Sequence, residues 1–360
     1  MGTEQVVAVF GAYGHTGRFV VSELRERGFV PLLLGRDVER LRALATAQPG
    51  LDHRVASVDD PASLDRALRE AAGVVNCAGP FASTAAPVIE AALRAGIPYV
   101  DVAAEIEANV DTFRRFTDRA RSAGIAVVPA MAFFGGLGDL LVTTAMGDWT
   151  TADEAHVAYG LSSWHPTGGT LASGTVSRER RDGRRVRYTG GRLDYHLGEG
   201  ELPRLEWDFP APLGTRTVLG DFTMADVVTV PSHLAIPEVR TYMTVDAAED
   251  LAAPGTPAPV AVDGRGRSAQ TFTVDVVVRA GDTRRRVVAS GRDIYAISAP
   301  LAVEAVQRIL AGRTRTTGVA SAGQIFDAPD FLRALSGHLS VAPHHADPLP
   351  LEAGTGQLSG

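Results

Sequence analysis

The hydrophobic positions fall into two regimes that change near residue 130. From Val6 to Pro129, short unbroken apolar runs alternate with stretches whose apolar residues recur every three or four positions. Unbroken runs of this kind predict strands buried on both faces, and the wider spacing predicts amphipathic helices. Strands are expected at 6–10, 29–34, 53–58, 74–76, 99–101 and 125–129. Helices are expected from Arg18 to a stop at Gly28, at 38–47, from Pro61 onward, at 84–95 and at 108–123. Strands and helices in this alternation describe a doubly wound parallel α/β sheet.

Past Pro129 the pattern changes. Residues 131–138 are apolar and glycine-rich, and 139–146 reads as a helix leading out of the first domain. Strand-like segments then dominate, at 156–161, 184–195, 227–230, 271–279 and 284–290. The last two flank Ala280-Gly281-Asp282-Thr283, a good hairpin turn. A second, α+β domain on a mainly antiparallel sheet is expected, with 248–259 as an exposed loop. The apolar stretch 299–310, between Pro300 and Gly312, predicts a helix that returns to the first domain. The expected organisation is 1–130, 131–298, 299–337, and a mobile tail over 338–360, where Pro, Gly and small residues concentrate.

Composition narrows the chemistry. With 360 residues, 45% of them hydrophobic, the chain can fill two cores. No apolar run reaches the ~18 residues of a membrane span and no signal-peptide pattern opens the chain, so a cytoplasmic protein is expected. One cysteine, Cys77, excludes an internal disulfide and a cysteine-rich metal site, and no metal is expected. A net charge of -7 argues against a nucleic-acid partner. All 35 basic residues are arginine. Without lysine there is no Schiff-base lysine, no P-loop lysine and no Tyr-x-x-x-Lys proton relay, which disfavours an extended short-chain dehydrogenase.

Between the first strand and helix stands Gly11-Ala12-Tyr13-Gly14-His15-Thr16-Gly17. Gly11 permits a tight turn, Gly14 lets backbone N–H groups approach a pyrophosphate, and Gly17 lets the helix pack on the strand, with Tyr13, His15 and Thr16 completing the loop. The helix N-terminus then faces the anion. Arg36, at the end of the second strand, suits a 2′-phosphate, which points to NADP(H). Asp59 stands where adenine contacts or a helix N-cap are expected. Asn76, Ala78, Gly79 and Asp101 lie at strand ends beside the dinucleotide, and Cys77 reads as a small buried residue. Asp101 and Glu105 are candidates to relay a proton or polarise an iminium, and as alternatives to cap a turn or pair with an arginine. His165, beside Thr167-Gly168-Gly169-Thr170, and His233 are candidate proton donors, or structural histidines. The stretch 178–187, rich in arginine, reads as a solvated hairpin edge or as a docking patch for an acidic carrier or a coenzyme A phosphate.

Taken together, residues 10–17, VVNCAGPF at 74–81, Tyr99-Val100-Asp101 with Glu105, Thr167–Thr170, Thr229–His233 and GVASAGQIFDAPDFLRAL at 318–335 resemble the saccharopine dehydrogenase-like NADP-binding reductases, including the trans-acting enoyl reductase branch. The resemblance runs nearly the whole length of the chain. Two positions depart from it: Ala104 where glycine usually precedes the glutamate, and Ser232 where arginine often precedes the histidine. The resemblance implies a Rossmann domain, an inserted α+β domain, a homodimer, and hydride transfer from NADPH to a C=C or C=N bond of a small-molecule or carrier-bound acyl or amino-acid-derived substrate. A reading of another class is an NADP-binding sensor without turnover, similar to NmrA-like proteins.

Overall fold

The computed structural model describes residues 5–198 and 200–344. The first regime folds as β1 (Val6–Phe10), α1 (His15–Glu26), β2 (Val30–Gly35), α2 (Val38–Ala47), β3 (His53–Val55), α3 (Pro61–Leu68), β4 (Gly73–Asn76), α4 (Phe81–Ala95), β5 (Tyr99–Asp101), α5 (Ile106–Ser122) and β6 (Ala126–Val128). Successive strand residues face opposite cores. Val7, Val9, Leu33 and Val75 pack with Val20, Val21 and Leu24 of α1, whereas Ala8, Phe10, Leu34 and Val74 pack with Leu64 of α3 and Val88 and Ile89 of α4. Burial on both faces is why these strands are continuous apolar runs. Asp37 caps α2 by accepting from the Glu39 and Arg40 amides, and Asp60 caps α3 by accepting from Ser63. The cap of α3 is therefore Asp60, whereas Asp59 lies exposed in the turn before it.

A buried turn at Phe133–Leu137 leads into α6 (Gly138–Met146). The second domain continues with β7 (Glu154–Leu161), α7 (Gly168–Arg180), β8 (Arg185–Thr189), β9 (Arg192–His196), β10 (Arg204–Asp208), β11 (Thr215–Leu219), α8 (Asp226–Thr229), β12 (Glu238–Thr244), α9 (Val245–Ala252), β13 (Thr271–Ala280) and β14 (Thr283–Arg292). The chain returns through α10 (Ser298–Leu310), β15 (Gly318–Val319), α11 (Ala322–Ile325), α12 (Ala328–Ala334) and β16 (Leu339–His344). The first sheet has the order β15-β6-β5-β4-β1-β2-β3, and the second runs β10-β11-β12-β7-β13-β14-β16, with β8 on β12 and β9 on β8.

Several expectations change. Residues 227–230 are a helical turn rather than a strand, because a short apolar run buried all round has the same pattern in either state. The second sheet is mixed, since β12 runs parallel to β7. Thr167-Gly168-Gly169-Thr170 opens a helix, α7, which Thr167 caps by accepting from the Thr170 amide at 3.1 Å. The expected loop at 248–259 begins inside α9. Within the expected tail, Leu339–His344 forms an edge strand on β14, and His345 onward lies outside the described residues.

The return helix α10 packs on α1 through buried charge. Glu304 accepts from Arg308 Nε at 2.6 Å and from Arg27 Nη1, and Arg308 also reaches Asp330 at 2.8 Å. Removing Glu304 leaves the buried Arg308 guanidinium with Asp330 as its remaining acidic partner. Glu304→Ala is expected to destabilise the protein by about 3–5 kcal/mol, read by urea unfolding. A loss below about 1 kcal/mol would show that water replaces the carboxylate.

Candidate functional site

The strand order reverses between β1 and β4, and the loops that follow these two strands border a crevice at the carboxyl edge of the sheet. Backbone contacts make the crevice. Gly11 has φ +82°, and a Cβ there would meet the Ala78 nitrogen at 2.9 Å. A Cβ on Gly17 would stand 2.2 Å from the Gly11 carbonyl oxygen. Neither position admits a side chain, so α1 starts directly over the turn with its first amides facing the crevice. Tyr13 lies across Gly35, and the Arg40 guanidinium stacks on the Tyr13 ring at 4.4 Å. Arg36 stands exposed beside them. Arg40 escaped the sequence reading, although its spacing of four from Arg36 was a usable signal.

Asn76 and Asp101 do not reach into the crevice with free side chains. Asn76 is wholly buried; its Oδ1 accepts from the Ala78 amide at 3.0 Å and its Nδ2 donates to the Tyr99 hydroxyl at 3.1 Å. That hydroxyl donates to Asp101 at 2.8 Å, and Asp101 accepts from the amides of Ala103 and Ala130. Burial outweighs these bonds and raises the Asp101 carboxyl to about 6. The network shapes the loop, so what Ala78 and Gly79 present to the crevice is backbone. Cys77 lies beside it, and burial pushes its thiol far above the usual range, against a nucleophile.

Glu105 is committed in the same way. Its two carboxylate oxygens accept from the Phe81 and Ala82 amides at 2.7 and 3.0 Å, capping α4. No arginine is needed to hold it. His233 is nearly buried and bonds Asp139 Oδ1 at 2.8 Å, while Asp139 Oδ2 accepts from the Gly323 amide at 2.6 Å. This joins the turn after α8 to α6 and α11, and His233 shares no partner with Glu105 or His165. Nearby, Asp226 accepts from the Tyr159 hydroxyl at 2.8 Å, and burial raises its carboxyl to about 7.

On the opposite wall stands the second domain. His15, first residue of α1, meets Tyr295 edge-on at 5.2 Å and Phe19 at 5.3 Å. Its Nε2 is buried without a partner among the described residues, and burial lowers its pKa from the ordinary 6.5. The Tyr295 hydroxyl gathers Trp164 Nε1, the Thr167 amide and Thr170 Oγ1 at 3.2, 3.3 and 2.9 Å, and faces the His165 carbonyl at 3.4 Å. The His165 ring makes no hydrogen bond among the described residues, which sets it apart from Glu105 and His233. α7 then lies against α4, α5 and the loop after β4, where Ser173 Oγ lies 2.8 Å from the position a Cβ on Gly79 would take. At the far end of α7, Arg180 and Arg181 pair with Asp111 and Glu107 of α5, each at 2.6 Å. The basic stretch is thus a helix end, a turn and the start of β8, whose hairpin with β9 lies at the edge of the sheet. Much of its charge is already engaged, Arg187 included, which pairs with Asp194 at 2.9 Å.

Residues 7–128 match the family described as the saccharopine dehydrogenase NADP binding domain. The first domain belongs to that family. NADP(H) is its cofactor, and the cradle fits it: two glycines where no Cβ is admitted, an orphaned imidazole nitrogen, and an exposed pair of arginines. The saccharopine dehydrogenase-like oxidoreductase of Homo sapiens is 28% identical over 179 residues, which are 43% of this chain and 42% of that one. The lipid droplet localized protein of Caenorhabditis elegans is 29% identical over 136 residues, 34% of this chain and 32% of that one. The chain therefore spans less than half the length of these relatives. In fold, it is similar to saccharopine dehydrogenase (L-Glu forming) from Saccharomyces cerevisiae, with a TM-score of 0.64 at 12% identity, covering 94% of this chain and 100% of that one. Among the described residues no helix is long and apolar enough to cross a membrane, and no His, Cys, Asp and Glu cluster suits a metal.

The raised carboxyls of Asp226 and Asp101 have a signed consequence. Each binds its proton more tightly folded than unfolded, so its contribution is full below about pH 4 and is lost as pH rises through about 7 and about 6. Asp226→Asn is expected to flatten the fall in unfolding free energy between pH 6 and 7, by up to about 1.4 kcal/mol per pH unit. Urea titrations over a pH series check this, and an unchanged slope would mean that Asp226 is ionised throughout.

Proposed function

We propose that this protein is an NADPH-dependent oxidoreductase that reduces a C=C bond of an enoyl substrate or a C=N bond of an imine. The observation that carries this reading is the wall opposite the dinucleotide loop. There Tyr295, whose ring meets His15, holds the His165 backbone and the first turn of α7 through its hydroxyl, and the His165 imidazole next to them carries no hydrogen bond among the described residues. NADPH, when bound, supplies the hydride.

The chain's own part is placement and one proton. The amides at the start of α1 and His15 Nε2 would hold the pyrophosphate, and Arg36 with Arg40 would hold the 2′-phosphate. The Thr170 and Ser173 hydroxyls orient the acceptor. His165 delivers the proton to the atom left with the electron pair after reduction. Glu105 serves by fixing the start of α4, Asp101 by holding Tyr99 and the loop after β5, and His233 by joining α6 to α11. Arg180 and Arg181, at the end of α7, are tied to α5 and are not offered to the acceptor.

Incubation with NADPH and a panel of enoyl thioesters and cyclic imines, followed at the reduced nicotinamide absorbance, tests the activity. Tight binding with no oxidation by any acceptor would sink the reductase and leave the NADP sensor. In a turnover assay, His165→Gln is expected to lower kcat by about 10²-fold with NADPH affinity unchanged. Arg36→Asp is expected to weaken NADPH by about tenfold or more and leave NADH alone. If neither affinity moved, the 2′-phosphate would sit elsewhere.

A further inference from the structure

Tyr295 occupies the crossover by which the chain leaves the second domain for α10, and α10 packs on α1, the helix that His15 begins. The crossover is rigid. Asp293, wholly buried and held at φ +60°, accepts from the amides of Tyr295 and Ala296 at 3.0 Å and from Ser268 at 2.7 Å. Gln270 accepts from the Ile294 amide at 3.0 Å and donates to the Ser163 carbonyl. The backbone that carries Tyr295 is therefore fixed on both sides, and the side chain is held by its hydroxyl partners and by His15. Its ring edge touches the cofactor loop, while its hydroxyl carries the first turn of a helix that has no other deep anchorage. Every residue of α7 is at least partly exposed, and Leu171 is 50% exposed. The N-terminal hydroxyl cluster and the two arginine pairs at its far end hold it across the crevice.

We infer that Tyr295 is a positioning residue that couples seating of the dinucleotide against His15 to ordering of α7 over the crevice. Its ring senses the loop, and its hydroxyl fixes Thr167, Thr170 and the His165 backbone. The inference rests on the cofactor seat proposed above and is independent of the acceptor reduced.

Hydrogen exchange of the full chain, with and without saturating NADPH, tests it. In the wild type, NADPH is expected to slow exchange in peptides covering 165–177. In Tyr295→Phe, which keeps the ring against His15, NADPH affinity is expected to stay within about threefold, while slowing over 165–177 is lost and the β13–β14 peptides exchange as before. Thr170→Val removes the same bond from the other side and is expected to reproduce the loss, which keeps the test available if the tyrosine variant folds poorly. Equal slowing in wild type and variants would overturn the coupling alone, as would NADPH binding to wild type with no slowing there. Failure of wild type to bind NADPH would overturn the cofactor seat and the coupling with it.

Discussion

The Gly11 carbonyl oxygen lies 2.2 Å from the place where any side chain on Gly17 would begin, and the same turn presses on the backbone of Ala78. This close approach of three backbone segments is the constraint around which the protein is arranged. It seats α1 directly over β1 and brings the loop after β4 to its side, so the first amides of a helix and a strip of bare backbone face one crevice. The polar side chains at the neighbouring strand ends are drawn inward to sustain it. Asn76, Tyr99 and Asp101 form a buried chain of hydrogen bonds, and Glu105 spends its charge on the amides of α4. In low dielectric a polar group left unpaired is costly, so these groups are structural because the loop above them is not free to move.

The second domain completes the crevice and does so asymmetrically. Its sheet packs through an aromatic cluster in which Phe134 stacks on Trp164 at 5.1 Å and Phe133 touches Phe272 at 4.8 Å. That cluster is continuous with the core on one face of the first sheet, so the two domains share one hydrophobic interior. α7 contributes no buried residue to it. A helix with no fully buried residue depends on its ends, and both ends of α7 are fastened by polar contacts to groups that border the cofactor domain. Rigid sheets with one weakly buried helix at the mouth concentrate mobility where a substrate must enter.

How much of this was legible in the chain depends on the range of the interaction. Strand runs, helix periodicity, the glycine spacing and the hairpin at Gly281-Asp282 are set by neighbours in sequence, and the folded protein has them close to where the pattern puts them. Residues 227–230 and 339–344 were misjudged because their surroundings come from distant segments: α8 is packed about by α5, α6 and β12, and β16 is paired by β14.

The sequence by itself determined the alternation of the first domain, the phosphate turn, the arginine suited to a 2′-phosphate, and the absence of any lysine-dependent chemistry. These follow from backbone sterics and side-chain type, which need no tertiary information. Only the tertiary structure decided which polar residues are engaged. It tied Glu105 to α4, His233 to Asp139 and Asp101 to Tyr99, left the His165 ring without a partner among the described residues, and brought Tyr295 to His15 across 280 positions of chain. A carboxylate or imidazole has the same chemistry in either role, and what separates the roles is whether a donor or acceptor far away in sequence has been folded against it.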